Sequence, residues 1–224
     1  MTSTMMTSTM MTFETYTATF GSHAECASGM KKETTDKLHN PDNISLDYIH
    51  LKNMHDYAKS MNADSTLLNL KDVMGLGNDA PDAYLWYSPD FLTKCGVNPD
   101  EVLYELKKLP YMAKDKFMGK WRNRKARSNN IITDIAHREN MDMIPPLNLS
   151  IAFDSCPNLS KIRSLGAHFG DNEYANLVAE INKYSHISDT KQGIGYHGDS
   201  ERKGTWAIRF GVPMFFGMKV FKNG

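Results

Sequence analysis

Apolar positions along this chain keep a helical period through the middle and change to a strand-like pattern near the end. Ile44, Leu46, Tyr48, Ile49, Leu51, Met54 and Tyr57 recur at mixed steps of three and four, which predicts a helix with Asn43 as its cap. A second helix opens at Asn98, with Pro99 in its first position and Glu101 as capping-box partner. Val102, Leu103, Leu106 and Leu109 form its apolar stripe, and Pro110 ends it. Leu159, Ile162 and Leu165 after Pro157 predict a third helix over 158–168, closed by Gly170. His168, near its end, reads as a helix-terminus histidine. Leu177–Tyr184 then reads as a strand, and the aromatic and branched run Trp206–Phe216 as a strand, a tight turn and a second strand.

Between these elements the pattern is weaker. Residues 129–150 hold Ile131, Ile132, Met141, Met143 and Ile144 around a polar middle, and Pro145-Pro146 break any regular element. The N-terminus repeats Met1-Thr2-Ser3-Thr4-Met5 as Met6-Thr7-Ser8-Thr9-Met10, a five-residue period that suits neither helix nor strand. The expected organisation is therefore a disordered low-complexity stretch over 1–42, a mostly helical part over 43–110, and a C-terminal part over 111–224.

Composition narrows the class without naming a function. A chain of 224 residues, 41% hydrophobic and 23% charged, buries one sizeable core. The formal net charge is +0, so electrostatic recognition must come from local patches. Cys26, Cys95 and Cys156 are widely and irregularly spaced, as expected of reduced thiols in an intracellular protein. No apolar run approaches the ~20 residues of a membrane span. His23 and Cys26 are spaced like half a metal site with no second half, and Gly75-Leu76-Gly77-Asn78 reads as a turn.

Two stretches carry candidate chemistry. His197 and Asp199, two residues apart, fall on one face of an extended chain, where they supply two of the three ligands of a 2-His-1-carboxylate iron site; the alternative is a solvated turn. Between Lys114 and Arg127 lie seven bases, Lys114, Lys116, Lys120, Arg122, Arg124, Lys125 and Arg127, against the single acid Asp115, with Phe117 and Trp121 among them. Such a segment contacts nucleic-acid phosphates while its aromatics stack on bases, or else it is a solvated basic loop.

The order Asn182-x-Tyr184, then Gly193-x-Gly195-x-His197-x-Asp199, then the apolar run with Gly211-x-Pro213, resembles the AlkB family of Fe(II)/2-oxoglutarate-dependent dioxygenases. The resemblance covers Leu177 to Phe216, with a weaker echo from Lys114 onward. It implies an α+β protein containing an incomplete double-stranded β-helix, or jelly roll, behind the helical N-terminal part. His197 and Asp199 would be catalytic metal ligands, Asn182 and Tyr184 would line the 2-oxoglutarate pocket, and Lys120, Arg122, Arg124, Lys125 and Arg127 would contact nucleic acid as part of a lid. The implied reaction is oxidative dealkylation or hydroxylation of a nucleic-acid base, which requires base flipping or a single-stranded substrate.

The sequence departs from the family in one respect. The pattern calls for a distal His ligand and, beyond it, an Arg that pairs with the 2-oxoglutarate carboxylate; no histidine follows His197, and Arg209 lies too near Asp199 to match. His186 is the other histidine near the candidate site. The alternative expectation is thus a catalytically inactive, truncated dioxygenase fold that binds nucleic acid or protein. Its open strand edges would favour a homo-oligomer or a partner chain that completes the barrel.

Overall fold

The computed structural model describes residues 13–27, 30–78, 80–117, 120–123, 127–134, 150–186, 193–194, 196–197 and 202–218. The chain enters on β1 (Phe13–Gly21), followed by the hairpin β2 (Ala24–Ala27) and β3 (Met30–Glu33). Helix α1 (Tyr48–Ser60) follows, then β4 (Thr66–Asn69), the short α2 (Leu70–Val73), β5 (Tyr84–Tyr87), the short α3 (Phe91–Lys94) and α4 (Pro99–Lys107). Next come the hairpin β6 (Lys114–Phe117) and β7 (Lys120–Asn123), then β8 (Ser128–Thr133), β9 (Ser150–Ala152), α5 (Pro157–Ser164), β10 (Val178–His186) and β11 (Trp206–Gly211).

A mixed five-stranded sheet in the order β11-β1-β10-β8-β9 organises the fold. Its neighbours are antiparallel except for the parallel pair β8 and β9. The α+β class holds, and the described strands form an open sheet with separate two-stranded hairpins.

The sheet has two unlike faces because a strand sends successive side chains to opposite sides. Tyr16, Ala18 and Phe20 of β1, with Ala179 and Ile181 of β10, Ile132 of β8 and Trp206 and Phe210 of β11, face the helical layer. Leu159 and Ile162 of α5, Met54 of α1, and Val102 and Leu106 of α4 pack there. Phe20 and Trp206, paired across β1 and β11, stack with ring centroids 4.3 Å apart. Trp206 meets Phe169 at 5.8 Å, and Phe169 meets Trp86 of β5 at 6.3 Å, so an aromatic chain ties the sheet to β5.

Several expectations need correction. Residues 13–21, expected within the disordered stretch 1–42, form β1, because Tyr16, Ala18 and Phe20 alternate with threonines and the strand is buried on both faces. Residues 1–12 lie outside the described residues. Helix α1 is capped by Asp47 rather than Asn43, its carboxylate accepting from the Ile49 and His50 amides; Pro41–Asn43 form a 3-10 turn instead. The helical part also holds the β4–β5 hairpin. The second strand expected after Trp206–Phe210 is absent, since 213–218 follow no regular strand.

The helix at Asn98 forms, with Asn98 accepting from the Asp100 amide and Pro99 in its first turn, but without the expected Glu101 capping box, and it ends at Lys107 ahead of Pro110. The third helix is α5, continued by a 3-10 turn over Leu165–Phe169 and ended at Gly170, whose φ is +133°. Its N-terminus has no side-chain cap of its own; the Glu105 carboxylate of α4 accepts from the Asn158 amide at 2.9 Å in that role. Pro145-Pro146 lie outside the described residues.

Candidate functional site

The face of the sheet opposite the helices is polar, and much of it is buried. Strand register builds it in rows. Thr17 of β1 lies opposite Arg209 of β11 on one side and Asn182 of β10 on the other, and Asn182 lies opposite Asn129 of β8. Arg209, Thr17, Asn182 and Asn129 thus form one row across four strands. In the adjacent row Thr15 lies opposite Tyr184, with Arg127 just before β8. On the other side Thr19 lies opposite Glu180, itself opposite Ile131. An apolar cluster of Ala24, Ile131 and Val178 borders this end.

Glu180, 3% exposed, is the carboxylate of these rows. Arg127 Nη2 and Arg202 Nη1 each stand 3.9 Å from it, and Asn129 Nδ2 donates to it at 3.4 Å. Arg202 reaches across β1 because Gly21 has no side chain: a Cβ there would lie 2.7 Å from Arg202 Cδ. Burial pushes the Tyr184 phenol up despite a hydrogen bond from Arg127 and the nearby charges of Arg127 and Arg209. Tyr184 therefore keeps its proton at neutral pH and remains a donor.

Arg209 is placed differently. Its Nε donates to Thr17 Oγ1 at 3.2 Å and its Nη1 to the Met214 carbonyl at 2.7 Å, and no carboxylate among the described residues lies within ion-pair distance. The bond to Met214 holds the chain after β11 near the face. Gly211, at φ +89°, makes the preceding turn possible, since a Cβ there would lie 2.2 Å from the Glu14 carbonyl oxygen. The next residue, Val212, donates its amide to that oxygen and accepts from Thr15 Oγ1 at 2.6 Å.

The asparagines show what the face lacks. Asn129 and Asn182 Oδ1 are buried with no hydrogen-bond partner, and the Asn182 carboxamide makes no hydrogen bond among the described residues. An unsatisfied buried acceptor costs about 1–3 kcal/mol, so two on one row mark a place where a bound molecule or water completes the bonding. The face offers amide groups of both polarities, a protonated phenol and a guanidinium, a set that matches a small organic anion.

The expected site residues are thus partly brought together. Asn182 and Tyr184 share the polar face, two residues apart on β10. Arg127, expected on a nucleic-acid patch, stands on this face beside Glu180. Lys120 is exposed on β7, and Arg122 lies on the same strand, opposite Asp115. Arg124, Lys125 and Asp199 lie outside the described residues. His197 is exposed, and its neighbour Tyr196 abuts the chain after β11, where a Cβ on Gly217 would come within 2.8 Å of the Tyr196 hydroxyl. Sequence reasoning missed Thr17, Asn129, Glu180 and Arg202. Alternating threonines in Phe13–Gly21 were the available signal for the first; strand pairing reveals Asn129 and Glu180, and Arg202 is found by its approach to Glu180 past Gly21.

Comparison with known proteins adds a single relative. The chain is 34% identical over 123 residues to an uncharacterized protein of Acanthamoeba polyphaga mimivirus; the match covers 54% of this chain and 46% of that protein, so the chain spans about half its relative's length. No family model matches, and no solved structure matches. Among the described residues no helix is long and apolar enough to cross a membrane, and no group of three or more His, Cys, Asp or Glu side chains is placed to hold a metal ion.

Proposed function

We propose that this chain is an Fe(II)/2-oxoglutarate-dependent dioxygenase of the AlkB type that oxidises nucleic-acid bases, its five-stranded sheet being one wall of a jelly roll. The observation that carries the reading is the buried row holding Asn182, with Tyr184 beside it and a guanidinium that has no described counter-ion.

The co-substrate fits this face. A carboxylate of 2-oxoglutarate would accept from the Tyr184 hydroxyl and from Asn182 Nδ2, whose place is interchangeable with that of Oδ1 by a flip of the amide. The iron half is incomplete: of the expected ligands His197 alone is described, and it is exposed. When bound, Fe(II) and 2-oxoglutarate together supply the O₂ chemistry that hydroxylates a C–H bond. The protein's part is to fix the keto acid in one orientation and to hold Tyr184 protonated. The β6–β7 hairpin, with Lys114 and Lys120 exposed, would contact the nucleic-acid backbone.

Full-length protein incubated with Fe(II), 2-oxoglutarate, O₂ and N-methylated single-stranded oligonucleotides is expected to release formaldehyde and succinate in equal amounts. Absence of both products, with no binding of 2-oxoglutarate, would overturn the reading. A second reading is a non-catalytic nucleic-acid-binding or interaction module with the same fold; oligonucleotide binding without turnover would select it.

A further inference from the structure

We propose that the segment after β11 is a stacking platform for single-stranded nucleic acid, with Phe215 and Phe216 taking successive bases and Tyr196 beside them. The inference rests on the proposed action on nucleic-acid bases, and gives the strand a contact surface separate from the β6–β7 hairpin.

Exposure and anchoring carry the first half of the argument. Phe215 is fully exposed, Phe216 is 71% exposed and Tyr196 60%. Ile194 and Met218 are exposed with them, and apolar side chains left together in water mark a binding surface. The backbone beneath the rings is tied down. Val212 donates its amide to the Glu14 carbonyl and accepts from Thr15 Oγ1, and the Met214 carbonyl accepts from Arg209 Nη1 at 2.7 Å. A Cβ on Gly193 would lie 3.2 Å from Met214 Cε, and one on Gly217 would lie 2.8 Å from the Tyr196 hydroxyl. The stretch that carries His197 therefore runs alongside this segment, and the rings stand on a tethered backbone next to the candidate iron ligand.

Charge selects the partner. From Arg202 to Gly224 the sequence carries five bases, Arg202, Lys203, Arg209, Lys219 and Lys222, and no acid, in a protein whose formal net charge is +0. Of those described, Lys203 is exposed and Arg209 is half-buried. A single strand matches both features, since each base offers a π-face to a ring while its phosphates meet the cations. A second copy of the chain, docked through the same patch, would set this basic stretch against itself.

Fluorescence-anisotropy titrations of the full chain compare oligothymidylate with an abasic oligonucleotide of equal length, which keeps the phosphates and has no bases. The wild type is expected to bind oligothymidylate at least about tenfold more tightly. Phe215→Ala with Phe216→Ala should bind the two strands alike, with the salt dependence of abasic binding unchanged. Phe215→Leu with Phe216→Leu, which keeps an apolar surface without the rings, should match the alanine variant. Equal binding of both strands by the wild type, or a preference that survives in the alanine or leucine variant, would overturn the inference. So would a wild-type dimer that the alanine variant converts to monomer in sedimentation, or a loss confined to binding of anionic phospholipid vesicles. Turnover separates this inference from the dioxygenase reading. A base preference that depends on the two rings, in a wild type that neither binds 2-oxoglutarate nor releases formaldehyde, keeps the inference and sinks that reading. Formaldehyde release with a preference that the variants retain does the reverse, and a wild type that binds no oligonucleotide overturns both.

Discussion

Asn182 and Asn129 stand directly opposite one another on β10 and β8, each with a buried Oδ1 that no donor among the described residues reaches. Folding gains nothing from this arrangement, and a flip of the Asn182 amide would turn its Nδ2 toward a bound acceptor. Asn182→Leu keeps the branching of the side chain and removes the unsatisfied oxygen. It is expected to leave the melting temperature unchanged or raised, by up to about 1 kcal/mol of stability, while lowering 2-oxoglutarate affinity at least about tenfold. Thermal unfolding and calorimetric titration of the same preparation check both; a destabilised variant with normal affinity would make Asn182 a structural residue.

Glu180 is expected to be structural as well as local to the site. Removing its carboxylate leaves Arg127 and Arg202 facing each other on a buried surface. Glu180→Ala should cost about 3 kcal/mol, read as a lower midpoint in urea; a loss below about 1 kcal/mol would show that solvent already screens this cluster.

Asp134 sets the acid limit of the fold. Burial pushes its carboxyl up, but hydrogen bonds from Arg163, Thr35 and Lys37 and the Arg163 charge outweigh it, leaving Asp134 well below its ordinary 3.8. Arg163 Nη1 donates to it at 2.6 Å while its Nε holds the Leu177 carbonyl, so the pair ties β8 to the entry of β10. A carboxyl with a depressed folded-state pKa contributes stability fully above its unfolded value and loses it as pH falls toward the folded value. Stability should therefore decline below pH 3.8, and Asp134→Asn should flatten that decline. At neutral pH the variant should lose about 2 kcal/mol, less than a fully buried pair because solvent reaches one side of Asp134. Urea titrations from pH 7 to 2.5 check this.

Gly211 is expected to tolerate no side chain. Its φ of +89° and the 2.2 Å approach of Glu14 oxygen to a built Cβ make Gly211→Ala destabilising by about 2 kcal/mol or more. Because the turn sets Met214 where Arg209 holds it, 2-oxoglutarate affinity should fall with it. Calorimetry on folded variant would show the opposite if the turn were incidental.

The β6–β7 hairpin should carry nucleic-acid affinity. Lys120→Glu with Arg122→Glu is expected to weaken single-stranded DNA binding and to flatten the dependence of log K on log salt. An unchanged slope would return the segment to a solvated basic hairpin.

Helix α4 was legible because its cap and stripe are local: Asn98, Pro99 and the Leu106 period need no partner to be read, while α5 was read from Pro157 and its stripe, its cap coming from Glu105 of α4. Asn182 and Tyr184 were named together by the resemblance, and β10 carries both on one face. β1 was not, since Thr-Tyr-Thr-Ala-Thr resembles the threonine-rich tract before it, and its burial comes from β10 and β11, more than 150 residues later in the chain. The Asn43 cap failed because Pro41–Asn43 close a 3-10 turn and Asp47 offers the better-placed carboxylate.

The most direct test of the polar face as a 2-oxoglutarate site is an anaerobic titration of the full chain with Fe(II) and 2-oxoglutarate, followed by the charge-transfer absorbance of the chelated keto acid. The band should appear in the wild type and be lost in Asn182→Leu and His197→Ala. A wild type that shows neither the band nor any heat of 2-oxoglutarate binding would contradict the account.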